Sequence, residues 1–397
     1  MPQESRELDI VLFGATGFTG GLTAEYLARH VPAGCRWALA GRNPERLAAV
    51  RERLVVVDPA LAELPLLHAD STDAASLADV ASRARVVITA VGPYVTHGEP
   101  LVAACAAAGT DYVDLTGEPE FVDRMYVAHH AEAVRTGARL VHACGFDSIP
   151  HDLGAQFTVE QLPEGVPLRV RGMVRSNGTF SGGTFASALL AFSRAGQMRQ
   201  ALAERRKVEP RAADGRRVRT TAKRPHLDRD AGYWLVPLPT IDPFVVRRSA
   251  VALERYGPDF SYAHYAAVKR LPTVVGGLGA VGALAVAAQV PPVRQFLLDR
   301  VPAGEGPSEE RRAKAYFWVR FVGEGGGRTV WTEVRGGDPG YTETAKMLAE
   351  SALSLAFDDN PETAGRVTTA VAMGERLRER LVRAGLTFTV RRVAETA

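Results

Sequence analysis

Short, mostly apolar runs alternate with helical repeats through the first 150 residues of the chain. The apolar runs fit strands that are buried on both faces, as in a parallel sheet. Between them, apolar residues recur every three or four positions, which is typical of amphipathic helices. This alternation predicts an α/β fold with a Rossmann-type, doubly wound parallel sheet. The predicted strands cover residues 10–13, 37–40, 65–68, 85–91, 111–115 and 138–143, and the predicted helices include 74–83, 99–108 and 119–136.

The pattern changes after residue 150. Residues 168–175 alternate between apolar and polar side chains, as in a strand with one exposed face. Small residues at 177–183 predict a loop, and two further strand patterns flank the glycine-rich residues 323–327, which predicts a hairpin. We therefore expect a dinucleotide-binding domain over 1–150 and a second α/β domain with a mixed sheet over 151–341. Helices within 342–385 are expected to pack back on the first domain.

One segment, residues 271–290, carries no charge over twenty positions, a length that can span a bilayer. Lys269 and Arg270 precede it and Arg294 follows it. The segment is rich in glycine and alanine, so a buried helix or loop is the favoured interpretation. Contact with a membrane surface or a long acyl ligand is an alternative, and a true membrane span is another.

Composition excludes several function classes. The 397 residues carry a net charge of +3 from 48 basic and 45 acidic side chains, which gives no general attraction to nucleic acid. The three cysteines, Cys35, Cys105 and Cys144, match no disulfide framework, and the first residues lack an apolar signal core. We therefore expect a cytoplasmic protein that is able to associate with membranes. His142, Cys144, Asp147 and His151 match no zinc spacing, so no metal is expected.

Three glycines follow the first predicted strand at intervals of three. Gly14 would allow a tight turn, Gly17 would let phosphates approach the backbone, and Gly20 would let the next helix pack closely. The start of a helix offers free N–H groups and a partial positive charge to a pyrophosphate. The spacing is GxxGxxG rather than the usual GxGxxG. Its place between a strand and a helix predicts dinucleotide binding, with a plain structural turn as the alternative.

The end of the second strand indicates which dinucleotide is bound. NAD sites usually have an acidic residue here for the ribose hydroxyls, whereas this chain has Arg42, with Arg46 one turn later. A guanidinium binds a 2′-phosphate with two hydrogen bonds. The sequence therefore favours NADPH over NADH, unless Arg42 only caps the next helix or faces solvent. Asp70, after the third strand, is expected near the adenine.

Polar residues follow strands four, five and six, where ligands bind in this fold. Tyr94 is the first candidate for a proton donor, because a phenol beside the nicotinamide could protonate the product of hydride addition. A packed aromatic is the alternative for Tyr94, and a helix cap is the alternative for Asp147 and Ser148. The residues at these three strand ends are Gly92, Pro93, Tyr94 and His97; Asp114, Thr116, Gly117 and Glu118; and Cys144, Asp147, Ser148, His151 and Asp152.

Two further features are expected to be structural. Residues 204–230 are dense in charge and are interpreted as a solvated loop, with a docking surface for an acidic carrier protein or anionic lipid as the alternative. Tyr265 and Lys269 match the Tyr-x-x-x-Lys of short-chain dehydrogenases, but they lie far from strand five. Tyr265 is therefore interpreted as part of an amphipathic helix.

Together these motifs resemble the saccharopine dehydrogenase-like oxidoreductases, and especially the trans-acting enoyl reductases of actinobacteria. The similarity covers nearly the whole chain and is carried by VLFGATGFTG, AGRNPERL, VGPYVTHGEPLVAACAAAGTDYVDLTGE, GFDSIPHDLG, NGTFSGGTFAS, DPFVVRRSA and GDPGYTETAKMLAESALSLA. The resemblance implies a cofactor loop of Gly14, Ala15, Thr16, Gly17, Phe18 and Gly20, with Arg42 at the 2′-phosphate and Val91, Gly92, Pro93 and Tyr94 beside the nicotinamide.

The expected function is that of an NADPH-dependent reductase. The acceptor is expected to be an activated C=C of a lipid or polyketide-derived chain, either as a small molecule or bound to a carrier. Two alternatives remain at this point. One is a regulator that binds NADP without turnover, and the other is a lipid-associated protein with a vestigial nucleotide site.

Overall fold

A sheet of seven parallel strands forms the first half of the computed structural model, which describes residues 6–178, 182–210, 215–300 and 306–395. Its strands are β1 (Leu8–Phe13), β2 (Trp37–Gly41), β3 (Leu66–His68), β4 (Ala84–Thr89), β5 (Asp111–Asp114), β6 (Arg139–Val141) and β14 (Gly365–Val367). They lie in the order β3-β2-β1-β4-β5-β6-β14, and every neighbouring pair is parallel. The six predicted strands are therefore confirmed as a Rossmann-type sheet, and the seventh strand comes from the end of the chain.

The centre of this sheet is apolar on both faces. All six residues of β1 are buried, and Ile10 lies opposite Trp37 of β2 and Val86 of β4. A strand without a polar face can only be stable when helices cover both sides of the sheet. The sequence of β1 is a nearly continuous apolar run because both faces of the strand are buried.

Helices cover the parallel sheet. They are α1 (Phe18–His30), α2 (Pro44–Val55), α3 (Ala74–Arg83), α4 (Tyr94–His97), α5 (Glu99–Ala108), α6 (Pro119–Thr136) and α14 (Thr342–Phe357). Helix α1 packs against α2 and α14, and α5 packs against α3 and α6. Helix α14 also contacts β1, β4 and β5, so the C-terminal part of the chain returns to the first sheet.

The second sheet has eight strands of mixed direction. They are β7 (Leu168–Ser176), β8 (Arg217–Thr220), β9 (His226–Asp228), β10 (Tyr233–Pro237), β11 (Asp259–Val268), β12 (Phe317–Gly325), β13 (Arg328–Gly336) and β15 (Thr387–Glu395). Their order is β15-β13-β12-β7-β11-β10-β9, with β8 beside β11. β7 and β8 run parallel to β11, and the other pairs are antiparallel. The predicted mixed sheet and its β12–β13 hairpin are confirmed, whereas the predicted limits of the two domains remain predictions.

Helix α7 (Ile149–Glu160) connects the two sheets. It packs on β7, β12 and β13, where Gly154 admits the ring of Phe321: a Cβ at Gly154 would lie 2.4 Å from that ring. The remaining helices are α8 (Gly182–Ser193), α9 (Ala195–Val208), α10 (Asp242–Ala252), α11 (Leu271–Gln289), α12 (Pro291–Asp299), α13 (Glu309–Ala313), α15 (Thr369–Ala372) and α16 (Gly374–Arg383), and short 3₁₀ turns lie at Pro59–Glu63 and Glu254–Tyr256. The loop predicted over 177–183 falls partly on residues 179–181, outside the described residues.

Two local predictions are wrong. Within 204–230, the described residues 204–210 and 215–230 contain the end of α9 and the strands β8 and β9 rather than a loop alone. Arg216 donates to the carbonyl oxygens of Ala250, Leu253 and Gly257. Tyr265 lies on strand β11 rather than on a helix and is buried, with its hydroxyl accepting from the Lys223 N–H at 2.9 Å. In both cases pairing with distant strands decides the structure, and the local sequence pattern does not reveal it.

Helix α11 also differs from the favoured interpretation, because it is exposed. Only 11% of the apolar stretch of α11 is buried inside the structure, and the side chains of Val275 and Val286 are 64% and 69% exposed. Among the described residues it is the one helix that is long and apolar enough to cross a membrane. Its glycines leave open space around the backbone, so the Gly/Ala composition does not serve close packing there.

Candidate functional site

The glycine loop between β1 and α1 is shaped by contacts of the backbone. Gly14 has φ of +99°, and a Cβ there would lie 2.7 Å from Val91 Cγ2. A Cβ at Gly20 would lie 2.1 Å from the Gly14 carbonyl oxygen, so only glycine lets α1 approach the loop this closely. Gly17 is the N-cap of α1 and provides no side-chain cap, and a Cβ there would meet only the Gly14 oxygen, at 3.6 Å. The loop is therefore open on the side of the helix N-terminus.

The ends of β2 and β3 place Arg42 and Asp70 close together. Asn43 caps α2 by accepting from the Arg46 N–H at 2.9 Å, so the guanidinium of Arg42 is not needed as a cap. Arg42 is exposed and makes no ion pair among the described residues. The Asp70 carboxylate accepts from the N–H and hydroxyl of Thr72, and these bonds, together with the charge of Arg42, lower its pKa. Arg42 therefore remains available to an anion at this edge.

The turn after β4 lies against the glycine loop. Val91 is the residue that contacts Gly14, and its N–H donates to the Thr89 hydroxyl at 3.2 Å. The Gly92–Pro93 peptide is cis, and α4 starts immediately after it. Val91 is thus beside the glycine loop, and Gly92 and Pro93 follow it in the same turn. Their place beside the nicotinamide remains a prediction.

Tyr94 is buried in the core. Its hydroxyl donates to the Thr89 carbonyl at 3.1 Å and accepts from the Leu115 N–H at 3.2 Å, so it ties β4 to the turn after β5. Burial, with a further contribution from the Asp114 carboxylate, raises its pKa well above the usual value. A proton donor must reach the substrate, and these contacts argue against that role. The assignment of Tyr94 as proton donor remains a prediction.

Glu118, at the end of β5, caps helix α4. Its carboxylate accepts from the N–H groups of Tyr94 and Val95 at 3.3 and 2.7 Å, and from the Ser187 hydroxyl at 3.0 Å. Burial raises the pKa of Glu118. Because Ser187 belongs to α8, this carboxylate joins the second half of the chain to the rim of the parallel sheet.

Asp114 and Asp152 are structural anchors. Asp114 accepts from His142 Nδ1 at 2.7 Å, from the Tyr112 hydroxyl and from two backbone N–H groups. Asp152 accepts from the hydroxyls of Ser249 and Thr369 and from a backbone N–H, which ties α7 to α10 and α15. Each carboxylate is fully buried and surrounded by hydrogen-bond donors.

The turn after β6 behaves differently from the predicted cap. Ser148 is the N-cap of α7 but makes no side-chain cap bond, and its buried hydroxyl has no partner in the described part of the chain. Asp147 is half-buried, and its Oδ2 lies 3.9 Å from the position of a Cβ on Gly117. Asp147 therefore lies at the carboxyl edge of the sheet, beside the turn after β5.

Comparisons with known proteins identify the family. Residues 10–141 match the family model of the saccharopine dehydrogenase NADP binding domain. A Mycobacterium tuberculosis protein named as a candidate trans-acting enoyl reductase is 40% identical over 99% of this chain and 100% of its own length. The trans-acting enoyl reductase of Mycobacterium ulcerans is 36% identical over the same shares.

The chain belongs to the saccharopine dehydrogenase-like oxidoreductases. Its fold agrees: yeast saccharopine dehydrogenase, at 12% identity, matches 97% of this chain and all of its own with a TM-score of 0.56. As a member of this family, the protein is an NAD(P)H-dependent oxidoreductase with an NADP-binding domain.

The loops of this saccharopine dehydrogenase-like protein fit the cofactor. Gly14 and Gly20 give a turn that any side chain would distort, and Gly17 leaves the approach to the helix N-terminus open. Arg42 is exposed and makes no ion pair with any residue that the structure describes. Phe18 forms an outer wall with Tyr341, whose ring lies 4.9 Å away, and with Arg312, 5.7 Å above the Phe18 ring. The residues present therefore suit a diphosphate at the loop and a 2′-phosphate at the end of β2.

Sequence reasoning missed part of this site in the saccharopine dehydrogenase-like chain. Asp242 and His264 come from the second sheet region and meet His151, more than 90 residues away in the chain. No spacing rule connects them, so only the fold could reveal the cluster. In the metal set that the sequence raised and set aside, His142 is paired with Asp114 and Cys144 donates to the Val141 carbonyl; the expected absence of a metal remains a prediction.

Proposed function

We propose that this protein is an NADPH-dependent reductase of an activated C=C, and that the double bond belongs to a lipid or polyketide-derived acyl chain on a carrier. The observation that carries this proposal is the open glycine loop with Arg42 beside it, in a chain of which 99% aligns with trans-acting enoyl reductases. In this proposal the reaction is that of an oxidoreductase acting on CH–CH groups.

The chain's own residues have three tasks in this proposal. The backbone from Gly14 to Gly20 binds the diphosphate, and Arg42 binds the 2′-phosphate. Asp70 lies beside the adenosine, and Val91, Gly92 and Pro93 border the nicotinamide. NADPH supplies a hydride to an acceptor carbon when it is bound. Phe18, Tyr341 and α8 cover the site and exclude water.

The test uses enoyl thioesters of increasing chain length, free and on a carrier protein. We expect NADPH oxidation, followed by absorbance, with one saturated thioester formed per NADPH, identified by mass spectrometry. A double substitution, Gly14→Val with Arg42→Ala, is the control and should abolish the reaction. A wild-type protein that binds NADPH but oxidises it with none of these thioesters would instead favour the alternative of a regulator without turnover.

A second part of the proposal concerns where the protein works. The surface formed by α11 and α12, which we call the apolar surface, exposes Val275, Leu278, Val281, Val286 and Phe296. Lys269, Arg270 and Arg300 are exposed at its ends, and the sequence has no acidic residue from 260 to 298. An exposed apolar helix with flanking cations is suited to anionic lipid headgroups. We propose that this surface rests on a membrane and brings the site close to acyl substrates.

Flotation with vesicles tests the membrane contact. Vesicles with an anionic lipid fraction should carry the wild-type protein upward at low salt, whereas a Val275→Ser, Val286→Ser, Phe296→Ser variant should stay at the bottom. Val56, which directly follows α2, is also an exposed valine, with 87% of its surface accessible. Val56→Ser is therefore the matched control and should float like wild type. Equal flotation of all three proteins, or of none, would contradict this part of the proposal.

A further inference from the structure

Four ionisable side chains meet where the two sheets adjoin. Asp147 precedes α7, His151 lies in its first turn, Asp242 begins α10, and His264 lies on β11. His151 Nδ1 is 3.0 Å from Asp242 Oδ1, and His264 Nε2 is 3.5 Å from Asp242 Oδ2. The two imidazole rings are edge to face, with centroids 4.9 Å apart. We call these four residues the acid cluster.

Three members of the acid cluster are deeply buried but poorly satisfied by hydrogen bonds. His151 and Asp242 are each 1% exposed and His264 is 3% exposed. Both ring nitrogens of His151, Asp242 Oδ1 and His264 Nε2 lack a hydrogen bond of good geometry, and the neighbouring Ser148 hydroxyl also lacks a partner. Buried polar atoms in native proteins are normally paired, and exceptions often mark sites of function.

Asp147 links this cluster to the rim of the parallel sheet. Its carboxylate faces the turn after β5 at Gly117, and no hydrogen bond to it is found within residues 6–178, 182–210, 215–300 and 306–395. The other members are enclosed by Phe146, whose ring is 5.5 Å from that of His151, by Thr240, which donates to Asp242, and by Tyr262, whose hydroxyl is 3.1 Å from His264 Nδ1.

The charges in the cluster support one protonation pattern. Burial and then the Asp242 carboxylate raise the pKa of Asp147 to about 7. Burial favours neutral Asp242, but the charge of His151 overcomes this and lowers its pKa. Burial would lower the pKa of His151, but Asp242 and Asp147 raise it. Burial lowers the pKa of His264 to about 3. At neutral pH the pattern is a neutral His264, a charged His151–Asp242 pair, and an Asp147 that readily gains or loses a proton.

We propose that Asp147 is the proton donor of the reduction and that the His151–Asp242 pair, backed by His264, positions and charge-balances it. This inference rests on the proposed reductase function. The β carbon of the enoyl group gains the hydride, and the electron pair of the double bond moves onto the thioester carbonyl as an enolate. When the enolate collapses, its α carbon takes the proton from the Asp147 carboxyl group. Each double bond therefore consumes one NADPH and one proton and releases NADP⁺.

Asp147 has to regain its proton before the next turnover. Asp147 remains as a carboxylate after the transfer, and the adjacent His151 imidazolium stabilises that charge. Because Asp147 is half-buried rather than enclosed, it regains its proton from solvent once the product leaves. His151, Asp242 and His264 do not change their protonation state during the transfer, which makes them positioning residues and not catalytic ones.

The first experiment compares Asp147→Asn with Asp147→Glu and with Asp359→Asn, an exposed carboxylate after α14. We expect kcat of Asp147→Asn to fall at least about 100-fold, in the range of general acid catalysis. The Kd for NADPH should stay within about twofold of wild type, which is far less than the tenfold that corresponds to 1.4 kcal/mol. Asp147→Glu should recover part of kcat, and Asp359→Asn should equal wild type. A kcat of Asp147→Asn within threefold of wild type would overturn the proposal.

The second experiment needs no turnover, so it separates the failure of this inference from the failure of the reductase function. NMR follows the titration of the His151 ring, assigned through a His151→Gln variant, in wild type and in Asp147→Asn. Removal of the neighbouring negative charge should lower the pKa of His151, while an unchanged titration would refute the link between the two residues. Zinc also binds histidine and aspartate side chains, so metal is measured in the same preparation; one equivalent of zinc per chain would overturn the proposal.

Discussion

Adjacent glycines at the start of α1 have different surroundings, so the same substitution should have opposite effects. A Cβ at Gly20 would lie 2.1 Å from the Gly14 carbonyl oxygen and 2.8 Å from its carbon, both of which are backbone atoms that cannot rotate away. A Cβ at Gly21 would meet the Ala15 oxygen at 3.6 Å and the end of Arg53 at 3.8 Å, which are ordinary contacts.

The magnitudes follow from these distances. Overpacking costs about 1–3 kcal/mol, and the upper end applies to Gly20→Ala because the loop backbone itself has to move. Alanine's better helix propensity returns about 1 kcal/mol, so the net loss for Gly20→Ala is about 2 kcal/mol. Gly21→Ala gains the propensity without the clash and should be stabilised by about 0.5–1 kcal/mol.

The assay combines urea denaturation with calorimetric titration of NADPH. Gly20→Ala should denature at lower urea and bind NADPH at least about tenfold more weakly, because the displaced loop no longer fits the diphosphate. Gly21→Ala should denature at higher urea and keep the wild-type Kd. Gly17→Ala should stay within about 1 kcal/mol of wild-type stability, because the protein leaves room there, yet bind NADPH more weakly. Wild-type NADPH affinity in Gly20→Ala, or an equal loss of stability in Gly20→Ala and Gly21→Ala, would show that close packing at Gly20 does not shape the NADPH loop.

Three further outcomes are expected. Arg42→Ala should weaken NADPH binding about 10- to 100-fold, which corresponds to one charge-assisted hydrogen bond of about 1.5–3 kcal/mol, and should leave the affinity for NADH unchanged. Arg29→Ala, in the last turn of α1, is the control, and equal effects of Arg42→Ala on both nucleotides would contradict the phosphate assignment. Tyr94→Phe should lose about 1–3 kcal/mol of stability, measured by urea denaturation, because the Leu115 N–H is left unpaired, and loss of turnover at unchanged stability would instead support the phenol as proton donor. Asp147 has its pKa raised to about 7 in the folded protein, so the stability linked to its protonated form is complete below about pH 4 and is lost as pH rises through 7. The gain in stability from Asp147→Asn should therefore be larger at pH 8 than at pH 5, by on the order of 2 kcal/mol after allowance for partial exposure. An effect that does not change with pH would contradict this expectation.

Local sequence patterns predict the proposed cofactor half of the site because its determinants are local. Gly14, Gly17 and Gly20 lie within seven residues of one another, between a buried strand and a helix, and their spacing alone specifies a turn and a close approach. Arg42 could be predicted for the same reason, since the residue after the second strand of a Rossmann sheet has a known position.

The other half of the site depends on contacts that no local pattern records. Asp242 and His264 reach His151 because α7 packs against α10 and against strands β7, β12 and β13 of the second sheet. Tyr265 was predicted to lie on a helix, but pairing of β11 with β7 places it in a strand. A buried helix or loop was favoured for residues 271–290, but α11 is an exposed helix, because hydropathy gives no information on whether an apolar helix is buried or exposed.

The central claim is that the glycine loop and Arg42 hold NADPH, and titration of the purified protein with NADPH and with NADH in a calorimeter tests it most directly. We expect one NADPH to bind per chain, with a Kd at least about tenfold lower than that for NADH. No measurable heat with either nucleotide, or tighter binding of NADH, would contradict it.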